Sequence, residues 1–191
     1  MYRRRMKSFS GTLFLAGIVI LGCSFFLTGC STTPKQLDPS VSAPQVIVNP
    51  DSIRLSVAVL TDTDIVFEGS GFEAGDSVFV SLIGSDDTEI AVADGPVRDD
   101  GTFKAAAGPL AKVGGILRST VSGTYAEDGS YEQRVVRTQD PIPAGAYTVQ
   151  ATGMLSGQTA ETELLVKKAG FMGSFKDWLG TRLGKIEDKR P

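Results

Sequence analysis

The chain carries two cysteines, Cys23 and Cys30, and no histidine. Without histidine there is no Cys/His zinc site and no nucleophilic triad or dyad that uses imidazole as its base. A CxxCH haem-attachment sequence is also absent. Carboxylates cluster at Asp62 and Asp64, at Asp86, Asp87 and Glu89, and at Asp99 and Asp100. Oxygen ligands of this kind suit calcium, but no cluster follows an EF-hand spacing, and aspartate is an ordinary turn former. The turn reading is preferred, and no metal site is expected. A glycosidase-type carboxylate pair would need two of these groups facing one another across a cleft, and nothing in the sequence places them so. Tyr125, Tyr131, Arg134 and Arg137 are the side chains a bound ligand would most readily meet, for reasons of position given below. No catalytic residue and no cofactor is assigned.

The thiol of Cys30 stands at the end of an ordered N-terminal segment. Arg3, Arg4, Arg5 and Lys7 come first, an apolar run from Leu13 to Leu27 follows, and Thr28 and Gly29 precede the cysteine. That is a secretory signal with its basic, apolar and cleavage regions in sequence. Leu27-Thr28-Gly29-Cys30 resembles the lipobox of bacterial lipoproteins. The resemblance implies that Cys30 receives a diacylglyceryl thioether, becomes the first residue of the mature chain and fixes it to a membrane. An uncleaved spanning helix is the competing reading, since Gly11 to Gly29 is free of charge and nears the ~20 residues a bilayer requires. Ser24, Thr28 and the glycines weigh against it. Cys23 has bulky Leu21 two positions before it, where a small residue is preferred. Ser31 is not the aspartate that retains some lipoproteins in the inner membrane, so resemblance to that sorting rule favours the outer membrane.

Cleavage removes four basic residues and no acidic one, leaving a chain more acidic than the whole, whose net charge is −3. Nucleic-acid binding depends on lysine and arginine neutralising phosphates, so no nucleic-acid partner is expected. The remaining length suits one domain with tails. Ser31 to Pro44 has prolines at 34, 39 and 44 and little apolar surface, which reads as a flexible spacer. The expected organisation is residues 1–29 as signal helix, 30–44 as lipidated cysteine and tether, 45–168 as folded domain and 169–191 as a C-terminal helix.

Within the domain the apolar residues alternate with period two, as half-buried strands require. Ile53, Leu55, Val57 and Val59 form one set; Ile65 and Phe67, then Val78, Val80 and Leu82, then Ile90 and Val92 follow. Thr102 to Ala105, Tyr147 to Ala151 and Thr162 to Val166 complete the series. Seven or eight short strands joined by glycine- and aspartate-rich turns predict an all-β fold, an antiparallel sandwich. Asp99-Asp100-Gly101 predicts a tight hairpin turn.

The run Gly69-x-Gly71-Phe72-x-x-Gly75-x-x-Val78-x-Val80-x-Leu82 resembles a segment of the immunoglobulin-like domains of bacterial surface and envelope proteins. Asp100-Gly101-Thr102-Phe103 and the strand Pro143-Ala144-Gly145-x-Tyr147-Thr148-Val149 match later parts of the same pattern, in order. The resemblance implies an immunoglobulin-like sandwich; it carries no activity, because such domains serve as spacers, adhesins and assembly modules. Phe72 reads as a core plug, and Gly145 as the turn into the last hairpin. The chain departs from the pattern between 108 and 142. There Pro109 to Arg118 reads as a short helix or a loop, and Tyr125 to Arg137 as an added hairpin. Long elaborated loops on a rigid scaffold are where binding usually sits, which is why Tyr125, Tyr131, Arg134 and Arg137 are singled out. The plainer reading is that the insert covers an open sheet edge.

After Lys168 the period changes to that of a helix. Phe171, Phe175, Trp178, Leu179, Leu183 and Ile186 share one face, with Gly173, Gly180 and Gly184 opposite. Those glycines leave the helix weak alone, so it needs a surface. Three dispositions are open: packing back on the domain, lying in a membrane interface, or docking on an envelope protein partner. Together these readings describe a non-catalytic envelope lipoprotein that binds or scaffolds another envelope component. The alternatives are an adhesin or glycan-binding domain, which needs an aromatic platform or cation site in the insert, and an envelope hydrolase, which needs an acid pair or a Ser/Lys pair in a pocket.

Overall fold

The computed structural model describes residues 34–85, 88–125 and 127–190. The signal segment, Leu27 to Cys30, and Asp86 and Asp87 lie outside the described residues. The order is β1 (Gln45–Asn49), β2 (Ser52–Leu55), α1 (Val57–Asp62), β3 (Val66–Ser70), β4 (Ser77–Ile83), β5 (Glu89–Pro96), β6 (Phe103–Ala106), a π-helical turn (Ala111–Ile116), β7 (Ser119–Tyr125), β8 (Tyr131–Arg137), β9 (Gly145–Gly153), β10 (Thr159–Lys168), α2 (Phe171–Arg182) and β11 (Ile186–Asp188). The fold is mostly β. No helix among the described residues is long and apolar enough to cross a membrane.

Three sheets form, with orders β1-β3-β6, β2-β10-β9-β4-β5 and β11-β8-β7. The first two enclose one core. Val46, Val48, Phe67 and Phe103 enter it from the three-stranded sheet, and Val78, Val80, Leu82, Val149 and Leu164 from the five-stranded one. Each is the inward member of an alternating strand, so the period-two pattern and the buried face coincide. Phe72 is buried as expected, with its ring edge-on to Phe103 at 5.3 Å. Gly101 turns with φ 75°, and its N–H donates to Arg98 O at 2.9 Å. Tyr147 Oη donates to Pro143 O at 3.0 Å, securing the chain as it enters β9.

Several expectations are corrected. The pairing is not wholly antiparallel: β2 runs parallel to β10, and β11 parallel to β8. The strand expected to run through Val59 stops at Leu55, because Ser56 caps a helix, its Oγ accepting from Val59 N at 3.3 Å. Val57 and Leu60, three apart, then supply the buried face. The spacer is not free up to Pro44. Lys35 N donates to Asn49 Oδ1 at 2.8 Å, Asn49 Nδ2 donates to Lys35 O at 3.1 Å, and Gln45 Nε2 donates to Asp38 O at 2.7 Å, which lays residues 35–38 along β1. Gly145 is the first residue of β9 and is absent from the glycines with positive φ, so it supplies no special turn.

The insert resolves into two parts. Its π-helical turn packs against β5, an edge strand of the five-stranded sheet, with Gly115 set against Ile90. Its second part is the β7–β8 hairpin, in register from Ser119 opposite Arg137 to Tyr125 opposite Tyr131. The hairpin is extended to three strands by β11, from the far end of the chain.

Candidate functional site

The C-terminal helix docks on the domain by the side opposite to its apolar residues. Its buried residues are Gly173 and Asp177. The glycines that leave the helix weak alone are the ones that admit this contact. A Cβ at Gly173 would stand 2.9 Å from Ser56 Cβ, and one at Gly180 would stand 2.7 Å from Ile186 Cδ1. Both are closer than side-chain carbons approach, so glycine sets the distance between α2 and what it lies on.

Asp177 fastens the contact. Its Oδ1 accepts from Ser56 Oγ at 2.9 Å and from Ala58 N at 2.9 Å, and its Oδ2 accepts from Val57 N at 3.1 Å. The first N–H groups of a helix have no partner within it. A carboxylate from 120 residues away therefore caps α1 alongside the local Ser56, and Ser56 Oγ also lies 3.2 Å from Gly173 O as a donor. At its other end α2 is continued by β11. Ile186, expected on the helix face, instead pairs with Val135 in β11 and is buried there. Val135 N donates to Lys185 O at 2.9 Å, and Lys189 N donates to Arg137 O at 2.9 Å. Around these bonds Glu187 pairs with Arg134 at 3.6 Å, and Asp188 with Arg190 at 2.6 Å and with Arg137 at 3.8 Å. The Arg190 hydrogen bond above all holds Asp188 down to about 2, well below the ordinary carboxylate value.

This docking turns the apolar face outward. Phe171 is 84 % exposed, Met172 63 %, Phe175 49 %, Trp178 53 %, Leu179 42 % and Leu183 63 %. Phe175 and Trp178 stack with ring centroids 5.8 Å apart, and the Arg182 guanidinium lies 5.5 Å from the Trp178 ring centre. The strip leads into an open groove of about 460 Å³ between α1, α2 and β8, walled by Val57, Val135, Leu179, Leu183 and Ile186, with Asp62, Lys176 and Lys185 among its lining. Domain packing and an exposed apolar face thus coexist, because the two occupy opposite sides of one helix.

The hairpin candidates do not gather into one site. Tyr125 and Tyr131 face each other across the tip, both exposed, with centroids 5.1 Å apart and planes tilted by 55°. They are a tilted cross-strand pair, not the coplanar platform a sugar ring would lie on. Arg134 donates to Thr124 Oγ1 at 3.5 Å as well as pairing with Glu187, and Arg137 is engaged by Asp188. Both guanidiniums therefore hold β11 in place. Among the described residues no group of three or more Cys, Asp or Glu is arranged to hold a metal ion.

Two residues that organise the molecule had no signal in the sequence. Asp177 is one. The other is Asp76, buried at the start of β4, which accepts from Ser77 N, Leu155 N, Ser156 N and Ser156 Oγ at 2.6 to 3.0 Å. The Ser156 hydroxyl is the largest cause of its carboxyl being held down to about 2, backbone donors adding to it and desolvation opposing. Neither forms part of a local motif, since each finds its partners 79 or more residues away, apart from Ser77 beside Asp76. No protein-family model matches the chain, and no curated protein is similar to it in sequence.

Proposed function

We propose that this protein is a non-catalytic cell-envelope lipoprotein: an immunoglobulin-like module, held by lipid on Cys30 in the outer membrane, that binds or scaffolds another envelope component. The observation that carries the reading is the outward apolar face of α2. Five large apolar side chains, with Leu183 at the C-cap, sit together on a helix that is already fastened to its own domain by Asp177, and contiguous apolar patches of this kind mark interaction surfaces. The immunoglobulin-like assignment is supported by the connectivity. The first strand region divides between the two sheets, β1 pairing with β3 and β2 running parallel to β10. It is supported too by Tyr147, whose hydroxyl bonds to the backbone four residues upstream at the start of β9, the arrangement of a tyrosine corner. The anchor rests on the Leu27-Thr28-Gly29-Cys30 resemblance.

The test compares wild type with Cys30→Ala and with chains that carry a photoreactive residue in place of Phe175 or Tyr125. Membrane fractions are separated and the mass of the N-terminal peptide is measured. Wild type should carry a diacylglyceryl-modified Cys30 and fractionate with the outer membrane, and Cys30→Ala should lose both properties. An unmodified Cys30, or a Cys30→Ala variant that fractionates as wild type does after leader removal, would remove the anchor from this reading. A photoreactive residue at Tyr125 then reports whether the hairpin touches a specific envelope protein; no specific adduct from it or from position 175 would count against scaffolding.

A further inference from the structure

We infer that the exposed face of α2 is a docking surface for an anionic lipid bilayer, so that the domain lies down on the membrane in a fixed orientation. The inference deepens the envelope reading and rests on it for the presence of a bilayer beside the domain.

Charge is the first argument. Asp177, the single carboxylate within α2, is turned inward to cap α1, so the exposed side of the helix carries Lys176 and Arg182 without an opposing acid. Glu187 and Asp188, the acids of β11, are occupied by Arg134, Arg137, Lys189 and Arg190. Lys168, Lys176, Arg182 and Lys185 make no ion pair among the described residues and are exposed. A chain that is acidic overall, at −3, thus sets Lys176, Arg182 and Lys185 around one apolar strip, against Asp62 in the lining of the adjoining groove. Such a combination fits anionic headgroups around acyl chains.

Side-chain chemistry and size point the same way. Phe171, Phe175 and Trp178 are the aromatic types that settle at the headgroup boundary, and Arg182 beside Trp178 reaches phosphate while its ring partner lies deeper. The exposed side-chain surface of the strip is on the order of 600 Å². A stable pair of proteins buries roughly 600–1,000 Å² on each partner, so the strip by itself stands at the bottom of the range for a second copy of this chain. A helix lying in an interface has no such minimum, particularly on a domain that is also tethered. The tether suits this placement. Lys35 is fastened to Asn49, three residues before β2, and Gly170 at the start of α2 lies against Arg54 of β2. The five residues from Cys30 to Pro34 span at most about 18 Å when extended, so a lipid on Cys30 keeps this end of the domain near the bilayer.

Trp178 is the single tryptophan of the chain, so its emission reports on this face alone. The full protein, purified from its membranes, is reconstituted into vesicles of phosphatidylethanolamine and phosphatidylglycerol, with or without bromine on the acyl chains. Flotation reports the anchor, and bromine quenching of Trp178 reports the docking. Docking predicts blue-shifted emission, protection from iodide and clear quenching by bromine, as expected for a side chain about 5–10 Å into the interface. Phe171→Ser with Phe175→Ser, both at exposed positions, should abolish the quenching while the melting temperature stays within a degree or so. Replacing phosphatidylglycerol by phosphatidylcholine should weaken it. Flotation with emission that stays red-shifted, iodide-accessible and unquenched would overturn the docking and leave the anchor standing. Quenching by added vesicles in a chain whose Cys30 proves unmodified would uphold the docking and retire the anchor. A blue shift that needs no lipid and grows with protein concentration would assign the face to a second copy, and one that needs a co-purified protein would assign it to that partner; either overturns the proposal.

Discussion

Replacing Asp177 by alanine removes three acceptor contacts at once. Val57 N–H and Ala58 N–H lose the oxygen they donate to, and the Ser56 hydroxyl is left with Gly173 O at 3.2 Å. A buried donor left without an acceptor costs roughly 1–3 kcal/mol, and loss of a helix cap costs about 1 kcal/mol. Ser56 still caps Val59, water can reach the half-buried Ala58, and removing the carboxylate relieves its own desolvation. The balance is a loss of about 3 kcal/mol, which for a domain of this size lowers the melting temperature by roughly 6–12 °C. Asp177→Asn retains one carbonyl oxygen and should cost roughly 1 kcal/mol. Thermal melts give the global figure; amide exchange shows where it is felt. Residues 57–62 and 171–182 should exchange much faster in Asp177→Ala, while β4 and β9 should lose only the global decrement. A loss below about 0.5 kcal/mol, or unchanged exchange at Val57 and Ala58, would refute the idea that Asp177 holds the two helices together.

Other expectations are tied to single groups. Gly173→Ala should destabilise the domain even though alanine favours a helix by about 1 kcal/mol, because its Cβ would meet Ser56 at 2.9 Å; Gly114→Ala, with nothing within 4 Å, should be neutral or stabilising by about 0.5 kcal/mol, and urea midpoints of the two variants check the contrast. Asp76 has its pKa lowered from 3.8 to about 2, so its contribution is complete above pH ~4 and lost as the pH falls towards 2. The stability gap between wild type and Asp76→Asn should therefore narrow from pH 5 to pH 2, and a gap independent of pH would remove Asp76 from the account. Asp188 follows the same sign, and protonating it should loosen β11, read as faster exchange of Lys189 N–H near pH 2.

Much of the β core was legible because a half-buried strand writes its burial into alternate residues. Val78, Val80, Leu82, Val149 and Leu164 are inward in the sequence pattern and inward in the fold. Val57 and Val59 misled, since Val57 also stands three residues before Leu60, the spacing at which a helix buries one face once Ser56 caps it. Which surface α2 would use was not legible at all. The apolar stripe from Phe171 to Leu183 announces itself in the sequence, and the ordinary expectation is that a stripe faces the core. Only the tertiary structure decided otherwise. Ser56, Val57 and Ala58 present donors that a carboxylate must meet, Gly173 and Gly180 allow the approach, and β11 closes the far end on β8. Those are contacts between residues more than a hundred positions apart at Ser56 and about fifty at β8. No periodicity within either segment encodes them, because each partner acquires its meaning when the other is brought alongside.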